Sequence, residues 1–398
     1  MNYRTSLHRL IHKHPRKITS FNIITSYVQY PLGVKQLARS RSIVKTILKV
    51  VAIILALLIV VVGGYVIYAF ASYHRIEDNK DLTIDNRGEV IKEASVNETY
   101  SIMSYNIGFG AYESDYSFFM DGGESSWAKS KEDLIKNIDG IGNDIKGVNP
   151  DIVILQEVDT NGTRTYHVDE AEQLKNIFGY SNYVFSQNFD SPFLFWPLTE
   201  PHGKNQSGLL TGSSLFFSSS LRRSLPVSTS LKRIVDLDRC YSITRIPVEN
   251  GKELCIFNVH LSAYGSDASV REGQLGMLMG DIQKEIENGN YVICGGDFNH
   301  NLRGESGEGV PDWAQPFPTE VLPSGSNLGF KVAEEADIEH NSCRNSDIAW
   351  IPGETFTVLA DGFIVSDNVE VITYKSLDWD FRRSDHDPIY MEFKLLDE

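Results

Sequence analysis

The sequence predicts an α/β domain of two packed sheets flanked by helices, preceded by one transmembrane helix. Three observations predict it. From about Thr99 onward, short apolar strands alternate with amphipathic helical stretches to the end of the chain. An Asn250-Gly251 turn between two apolar runs marks a hairpin, which requires at least partly antiparallel pairing; a single doubly wound parallel sheet is the alternative. Ahead of all this lies an uncharged run from Val50 to Tyr73, VVAIILALLIVVVGGYVIYAFASY.

Residues 1–49 carry ten Lys/Arg and no Asp or Glu, although the whole 398-residue chain has a net charge of −16. The remainder therefore holds 27 basic residues against 53 acidic ones. So acidic a domain has no global attraction to polyanions, and a phosphate ester bound there needs a local positive charge such as a divalent cation. At ~1.5 Å per residue the apolar run spans a bilayer core of about 30 Å. A cleavable signal peptide is the rival reading, since Ala69-Phe70-Ala71 resembles a cleavage site, but the basic flank and apolar run are both too long for one. With the basic flank N-terminal, residues 1–49 are expected in the cytoplasm and the C-terminal domain outside the cell membrane. The expected organisation is a basic tail over 1–49, a transmembrane helix over 50–73, a polar stalk over 74–98 and a catalytic domain over 99–398.

Within that domain, strands are expected at Ser101–Tyr105, Ile152–Leu155, Ser214–Ser218, Tyr241–Ile246, Leu254–Val259, Tyr291–Cys294, Phe363–Val365 and Ile389–Phe393, on apolar or alternating runs. Helices are expected at Lys129–Lys146, Glu170–Phe178 and Ser269–Glu287, where apolar residues recur at spacings of three to four. The four cysteines show no C-x-x-C spacing, so they are not a zinc site. A two-residue turn would set Cys240 against Leu261 and Cys255 against Ile246, leaving both as free buried thiols.

Several strands end or begin on a polar residue that an ordinary loop does not need. Strand 101–105 ends at Asn106, DIVILQE at Glu157 and CIFNVH at His260. YVICGGDFNH delivers Asp297, Asn299 and His300; TFTVLADGFIV holds Asp361; RRSDHDPIYMEF holds Asp385, His386 and Asp387. Each alone is an ordinary turn former or cap. Gathered at one rim they form a carboxylate cluster that repels itself unless a cation sits among it. Hard oxygen donors suit Mg²⁺, with Mn²⁺ or Ca²⁺ as alternatives, better than zinc. Metal-assisted attack of water on a phosphoester uses all of these parts.

Taken in order, MSYNIG, ILQEVD, NVHLS, GGDFNH, LADGFIVSDNV and SDHDPIY resemble the endonuclease/exonuclease/phosphatase superfamily over roughly residues 99–396. The resemblance implies a four-layered α/β sandwich with its active site at one rim. It implies that Glu157 binds the metal with Asn106 beside it, and that Asp385 supports the metal or its surroundings. Asp297 and Asn299 would orient water and the phosphoryl group. His386, held by Asp361, would contact the phosphate and transfer a proton, and His260 resembles a second histidine of the nuclease and sphingomyelinase branches. Arg271 and Gln274 match the R-x-x-Q spacing that follows the HL motif, as substrate contacts or as plain helix packing. Two departures stand out: Gly108 sits where some nuclease relatives carry an acidic residue, and the aromatic neighbour of Asp361 is missing.

The motifs leave the phosphoester open between nucleic acid and a phospholipid headgroup, with sphingomyelinase-like and inositol-phosphatase-like activities as alternatives and a non-catalytic binding module as the rival class. No obligate protein partner is evident. Two aromatic, Pro-rich loops, Phe189–Pro201 and Val310–Pro318, are able to dip into lipid, stack on a base or simply pack locally.

Overall fold

The structure is a computed structural model that describes residues 32–88, 93–230, 236–263, 268–304, 310–311 and 313–397, with side chains from residue 39. The first 31 residues of the basic tail lie outside the described residues. The chain divides into two compact units, Met1–Val66 and Ile67–Glu398.

The first unit contains most of helix α1 (Leu32–Ser72). Its stretch Arg39–Ser72 is long and apolar enough to cross a membrane. Its apolar side chains, Leu57, Ile59 and Val60 among them, are exposed. The helix begins well before the apolar run, so Lys35, Arg39, Arg41, Lys45 and Lys49 are helical rather than part of an irregular tail. Once nucleated, a helix propagates cheaply through Lys, Arg and Leu.

The second unit is the two-sheet domain. After α1 come β1 (Lys80–Asp81) and β2 (Ile84–Asn86), then β3 (Thr99–Asn106), α2 (Lys131–Val148), β4 (Ile152–Gly162) and α3 (Glu170–Phe178). Next are β5 (Asn182–Asp190), β6 (Asn205–Ser213), β7 (Ser219–Ser224), β8 (Cys240–Pro247), β9 (Glu253–His260), α4 (Ala268–Glu287) and β10 (Tyr291–Asp297). The chain closes with β11 (Ser326–Leu328), β12 (Glu335–Asp337), β13 (Cys343–Arg344), β14 (Thr357–Val358), β15 (Asp361–Ser366), β16 (Val369–Ser376) and β17 (Ile389–Leu395). One sheet runs β1-β7-β8-β9-β10-β15-β11 and the other β12-β16-β17-β3-β4-β6-β5-β2. Both are mixed: β9 and β10 pair parallel, as do β3 and β4, while their outer neighbours pair antiparallel.

The period-two rule places the core. Ile102, Ile152 and Ile154 of one sheet face Ile256 and Ile293 of the other in a shared apolar layer. The alternate residues Met103, Tyr105, Val153 and Leu155 pack outward under Leu134, Ile138, Ile141 and Ile145 of α2 and Leu174 of α3. Ser130 caps α2 by accepting the Asp133 amide at 3.0 Å, and Asp169 caps α3 through the Glu172 amide at 2.9 Å.

Four details differ from the sequence expectations. Ser214–Ser218 is not a strand: buried Leu215 and Phe217 plug the core while the backbone crosses from β6 to β7. Strands β5, β6 and β16 were not expected; β6 reads NQSGLLTGS, too rich in Ser and Gly to look like a strand. The β8–β9 hairpin turns through three residues, Glu249 to Gly251, with Gly251 at φ 84°, so the register moves by one and Cys255 faces Arg245. All four cysteines are nonetheless free and buried. Residues 74–86, expected as stalk, lie on the domain: β1 extends β7, β2 extends β5, Arg75 pairs with Asp238, and Arg222 donates to the carbonyls of Ile76 and Glu77. Edge strands offer unpaired backbone groups that such a segment satisfies.

Candidate active site

The register of the first sheet lines up three of the expected residues. Asp297, at the end of β10, is the parallel partner of His260 at the end of β9 and the antiparallel partner of Asp361 at the start of β15. Partners in register point to the same face, so the three side chains form one row. The double glycine before Asp297 is required here. Gly296 has φ 143°, and a Cβ there would lie 1.9 Å from the carbonyl oxygen of Val259.

The second sheet supplies the facing wall. Asn106 pairs with Gln156 in the β3–β4 register, and Glu157 follows in a bulge with φ 56°. The bulge turns Glu157 out of the strand's alternation and toward the cleft. The Asn106 Nδ2 faces Glu157 Oε1 at 3.4 Å, Asp297 Oδ2 at 3.1 Å and His386 Nε2 at 3.4 Å. The last contributor is a short antiparallel bridge between Cys343 and His386, tied by Arg344 N to Asp385 O and Asp387 N to Ser342 O.

His386 Nδ1 lies 2.7 Å from Asp361 Oδ2, and its Nε2 lies 3.7 Å from Asp297 Oδ2. Asn299, itself at φ 50°, donates to Asp297 twice, from its backbone N at 2.8 Å and its Nδ2 at 3.2 Å. His260 Nε2 lies 3.4 Å from Asp297 Oδ2, while its buried Nδ1 has no hydrogen-bond partner among the described residues. Thus Asn106, Glu157, His260, Asp297, Asn299, Asp361 and His386 converge at one rim of the two sheets. Asp385 joins them on the cleft wall, held by Ser384 and Ser346 hydroxyls at 3.2 and 2.8 Å.

Burial and neighbouring charge set the protonation. Burial pushes Asp297 up to about 7; His386 opposes the shift and Asp361 adds to it. Burial disfavours the His386 charge, but Asp361 above all outweighs it and the pKa rises well above 6.5. Burial, with Arg239 and His386 nearby, drives His260 well below 6.5, so it is neutral. Glu157 is raised by burial and by Asp385.

A divalent cation fits this donor set. Asp297, Asp361 and His386 bring their ligand-type atoms within 4.8 Å of one another. Asp361 is committed to orienting His386, however, which leaves Glu157 and Asp385 as the two partly accessible carboxylates that repel without a cation between them. Asn106 Oδ1 accepts the Gly108 amide at 3.1 Å and keeps a second lone pair.

Two expected residues stand apart. Gln274 is fully buried and occupied: its Oε1 accepts Ser262 N at 3.0 Å, and its Nε2 donates to Pro226 O at 2.7 Å and Ser262 Oγ at 2.9 Å. It fixes the segment after His260 and is not among the residues lining the cleft. Arg271 is half-buried on the same helix and is not among the residues lining the cleft. Asp387 turns away from the cleft, where His340 Nε2 meets it at 2.8 Å and the backbone N–H groups of Trp379 and Phe381 donate to it.

The cleft of about 430 Å³ also contains residues not expected there: Phe109, Tyr112, Arg164, His202, Arg239 and Trp313 among them. Arg164 is neutralised by Asp159 at 2.8 Å and stacks on Phe109 at 3.7 Å. Arg239 is 6% exposed, and its Nε and Nη1 have no hydrogen-bond partner among the described residues. A signal for it exists in the sequence: β8 runs antiparallel to β9, so the residue before β8 reaches the same rim as the end of β9. Inspecting only strand ends overlooks it.

A family model described as Endonuclease/Exonuclease/phosphatase family matches residues 103–386. No protein of curated function matches the sequence. Among solved structures, an endonuclease/exonuclease/phosphatase from Beutenbergia cavernae superposes with a TM-score of 0.54 at 15% identity, covering 75% of this chain and 72% of that one. One from Bacteroides vulgatus gives 0.51 at 18% identity, covering 75% and 100%. A family protein from Bacteroides thetaiotaomicron gives 0.50 at 15% identity, covering 76% and 99%. At such identities the likeness establishes the fold: two mixed sheets flanked by helices.

Proposed function

The chain belongs to the endonuclease/exonuclease/phosphatase family and is a phosphoester hydrolase, and on that premise we propose that it is a metal-dependent phosphodiesterase anchored in the membrane by α1. The basic N-terminal flank sets the tail in the cytoplasm and the catalytic domain outside. The observation that carries the catalytic reading is the Asp361–His386–Asp297 chain, with contacts of 2.7 and 3.7 Å.

In this reading Asp297, poised near neutral pH, accepts a proton from the attacking water, which Asn299 and Asn106 help to position. His386 keeps its charge because Asp361 holds Nδ1. Its Nε2 then donates to a phosphoryl oxygen and stabilises charge gathering in the transition state. His260 is neutral and stands beside Asp297 as a further donor to the phosphoryl group. A divalent cation, Mg²⁺ with Mn²⁺ or Ca²⁺ as alternatives, would be held by Glu157 with Asn106 and Asp385 and would supply positive charge to a phosphoryl oxygen. Arg239 adds a cation from the opposite wall.

The test uses the full chain in nanodiscs. Bis-p-nitrophenyl phosphate, plasmid DNA, sphingomyelin and phosphatidylinositol phosphates are offered with Mg²⁺ or with EDTA. Mg²⁺-dependent turnover that falls about 10²-fold or more in Asp297→Ala and His386→Ala is expected. Equal turnover in EDTA, or in either variant, rejects the mechanism.

A further inference from the structure

We propose that the loop from Ser191 to Pro201 is a lipid-contacting surface that seats the domain on the outer face of the bilayer crossed by α1. This rests on the membrane-anchored reading above.

The loop leaves the cleft wall after Phe189 and returns at His202, and both of those residues line the cleft. Between them it presents Phe195, Trp196 and Leu198 at 50%, 66% and 76% exposure. Among described residues beyond α1, Leu198 and Trp196 are the most exposed large apolar side chains. A local cluster of this kind marks an interaction surface rather than scattered surface apolarity.

The loop is built, not slack. Leu194 and Gly203 exchange backbone hydrogen bonds of 3.0 Å each way. His202 N donates to Trp196 O at 3.2 Å, and Trp127 Nε1 donates to Pro201 O at 2.7 Å. Ser126 N donates to Glu200 Oε2 at 3.1 Å. The polar side of the loop is thus tied down and its apolar side is held outward.

Its position identifies the occupant. Phe193 N donates to the hydroxyl of Tyr68 at 3.1 Å, and Tyr68 is four residues from the end of the apolar helix. Tyr65, Tyr68 and Tyr73 gather at that end, where an interfacial aromatic belt belongs. The segment after the helix has no spare length, since Arg75, Ile76 and β1 are fixed on the domain. The loop therefore sits at the depth of the headgroups, the usual place for an exposed Trp such as Trp196. Charge does not drive the contact: beyond residue 49 acidic residues outnumber basic ones 53 to 27. The apolar side chains do. The contact holds the cleft beside the bilayer, where phosphoesters of lipid headgroups are concentrated.

The full chain is placed in nanodiscs of phosphatidylcholine and phosphatidylglycerol carrying a nitroxide on the acyl chain, near the headgroup in one set to read position 196 and near the chain end in a second to read position 59. Single cysteines at Trp196→Cys, Ile59→Cys and Lys252→Cys are labelled with bimane; the native cysteines are buried. Lys252 is exposed beside the turn of the β8–β9 hairpin, at the opposite end of those strands from His260. Quenching of at least about twofold at 59 and 196, with none at 252, is expected. Quenching at 59 with position 196 as bright as 252 overturns the lipid contact and leaves the anchor standing; a protein partner on the loop gives this same result. No quenching at 59 removes the anchor and the proposal together.

Discussion

The Nδ1 of His386 lies 2.7 Å from Oδ2 of Asp361, and the same oxygen accepts the hydroxyl of Ser342 at 2.7 Å. Ser342 Oγ also receives the backbone N–H groups of Ala360 and Asp361 at 3.0 Å, so the carboxylate is fixed before any substrate arrives. Replacing Asp361→Asn removes the charge that keeps His386 protonated. The expected result is a fall in kcat of about 10²-fold or more, with the alkaline limb of the pH profile moved to lower pH. Ser342→Ala leaves the charge and moves the same limb by less. Steady-state pH profiles of both variants check this; an unmoved limb in Asp361→Asn refutes the pairing.

Arg239 is buried, and its Nε and Nη1 have no hydrogen-bond partner among the described residues. An unpaired buried cation destabilises the free protein and binds an incoming anion strongly. Arg239→Ala should therefore lower kcat/KM by about 10- to 100-fold, the worth of a charged hydrogen bond of ~1.5–3 kcal/mol. The Tm should be unchanged or higher. A lower Tm with full activity would make the residue structural instead.

Gln274 should behave in the opposite way. Gln274→Leu leaves Ser262 N and the Pro226 carbonyl unpaired, at a cost of about 1–3 kcal/mol for each buried group. Denaturant titration should show that loss, while KM of the remaining folded enzyme stays near the wild-type value. A raised KM at unchanged stability would restore Gln274 as a substrate contact.

His202 is buried against Phe118 and Phe119, and burial lowers its pKa from 6.5 to about 3. The unfolded chain takes up a proton below 6.5 and the folded chain does not. The stability contribution is therefore complete above pH 6.5 and is lost as pH falls from there toward 3. The slope per group is at most about 1.4 kcal/mol per pH unit. His202→Asn should lose stability less steeply between pH 6.5 and 5 than the wild type, as measured by denaturant unfolding in detergent. Identical slopes would show that His202 is not buried neutral.

The sequence by itself determined the kinds of element and the chemistry. The 3.6-residue period of Leu134, Ile138, Ile141 and Ile145 fixed α2, and the charge-free run from Val50 fixed the long helix. Hydrophobic periodicity is a local property, so a linear reading recovers it. The polar strand ends were visible too, because a carboxylate closing an apolar run is an anomaly that needs no coordinates. What needed the tertiary structure was register. Whether Asp297 stands beside His260 and Asp361 depends on a parallel and an antiparallel pairing between distant strands. A one-residue slip would turn each side chain to the other face. The same cause explains the misses. Arg239 reaches the rim only because β8 is antiparallel to β9. Gln274 leaves the site because it is buried in bonds to Ser262 and Pro226, and the supposed stalk is absorbed because β5 and β7 offer free edges. Residue types state which chemistry is available; long-range pairing decides which residues share a site.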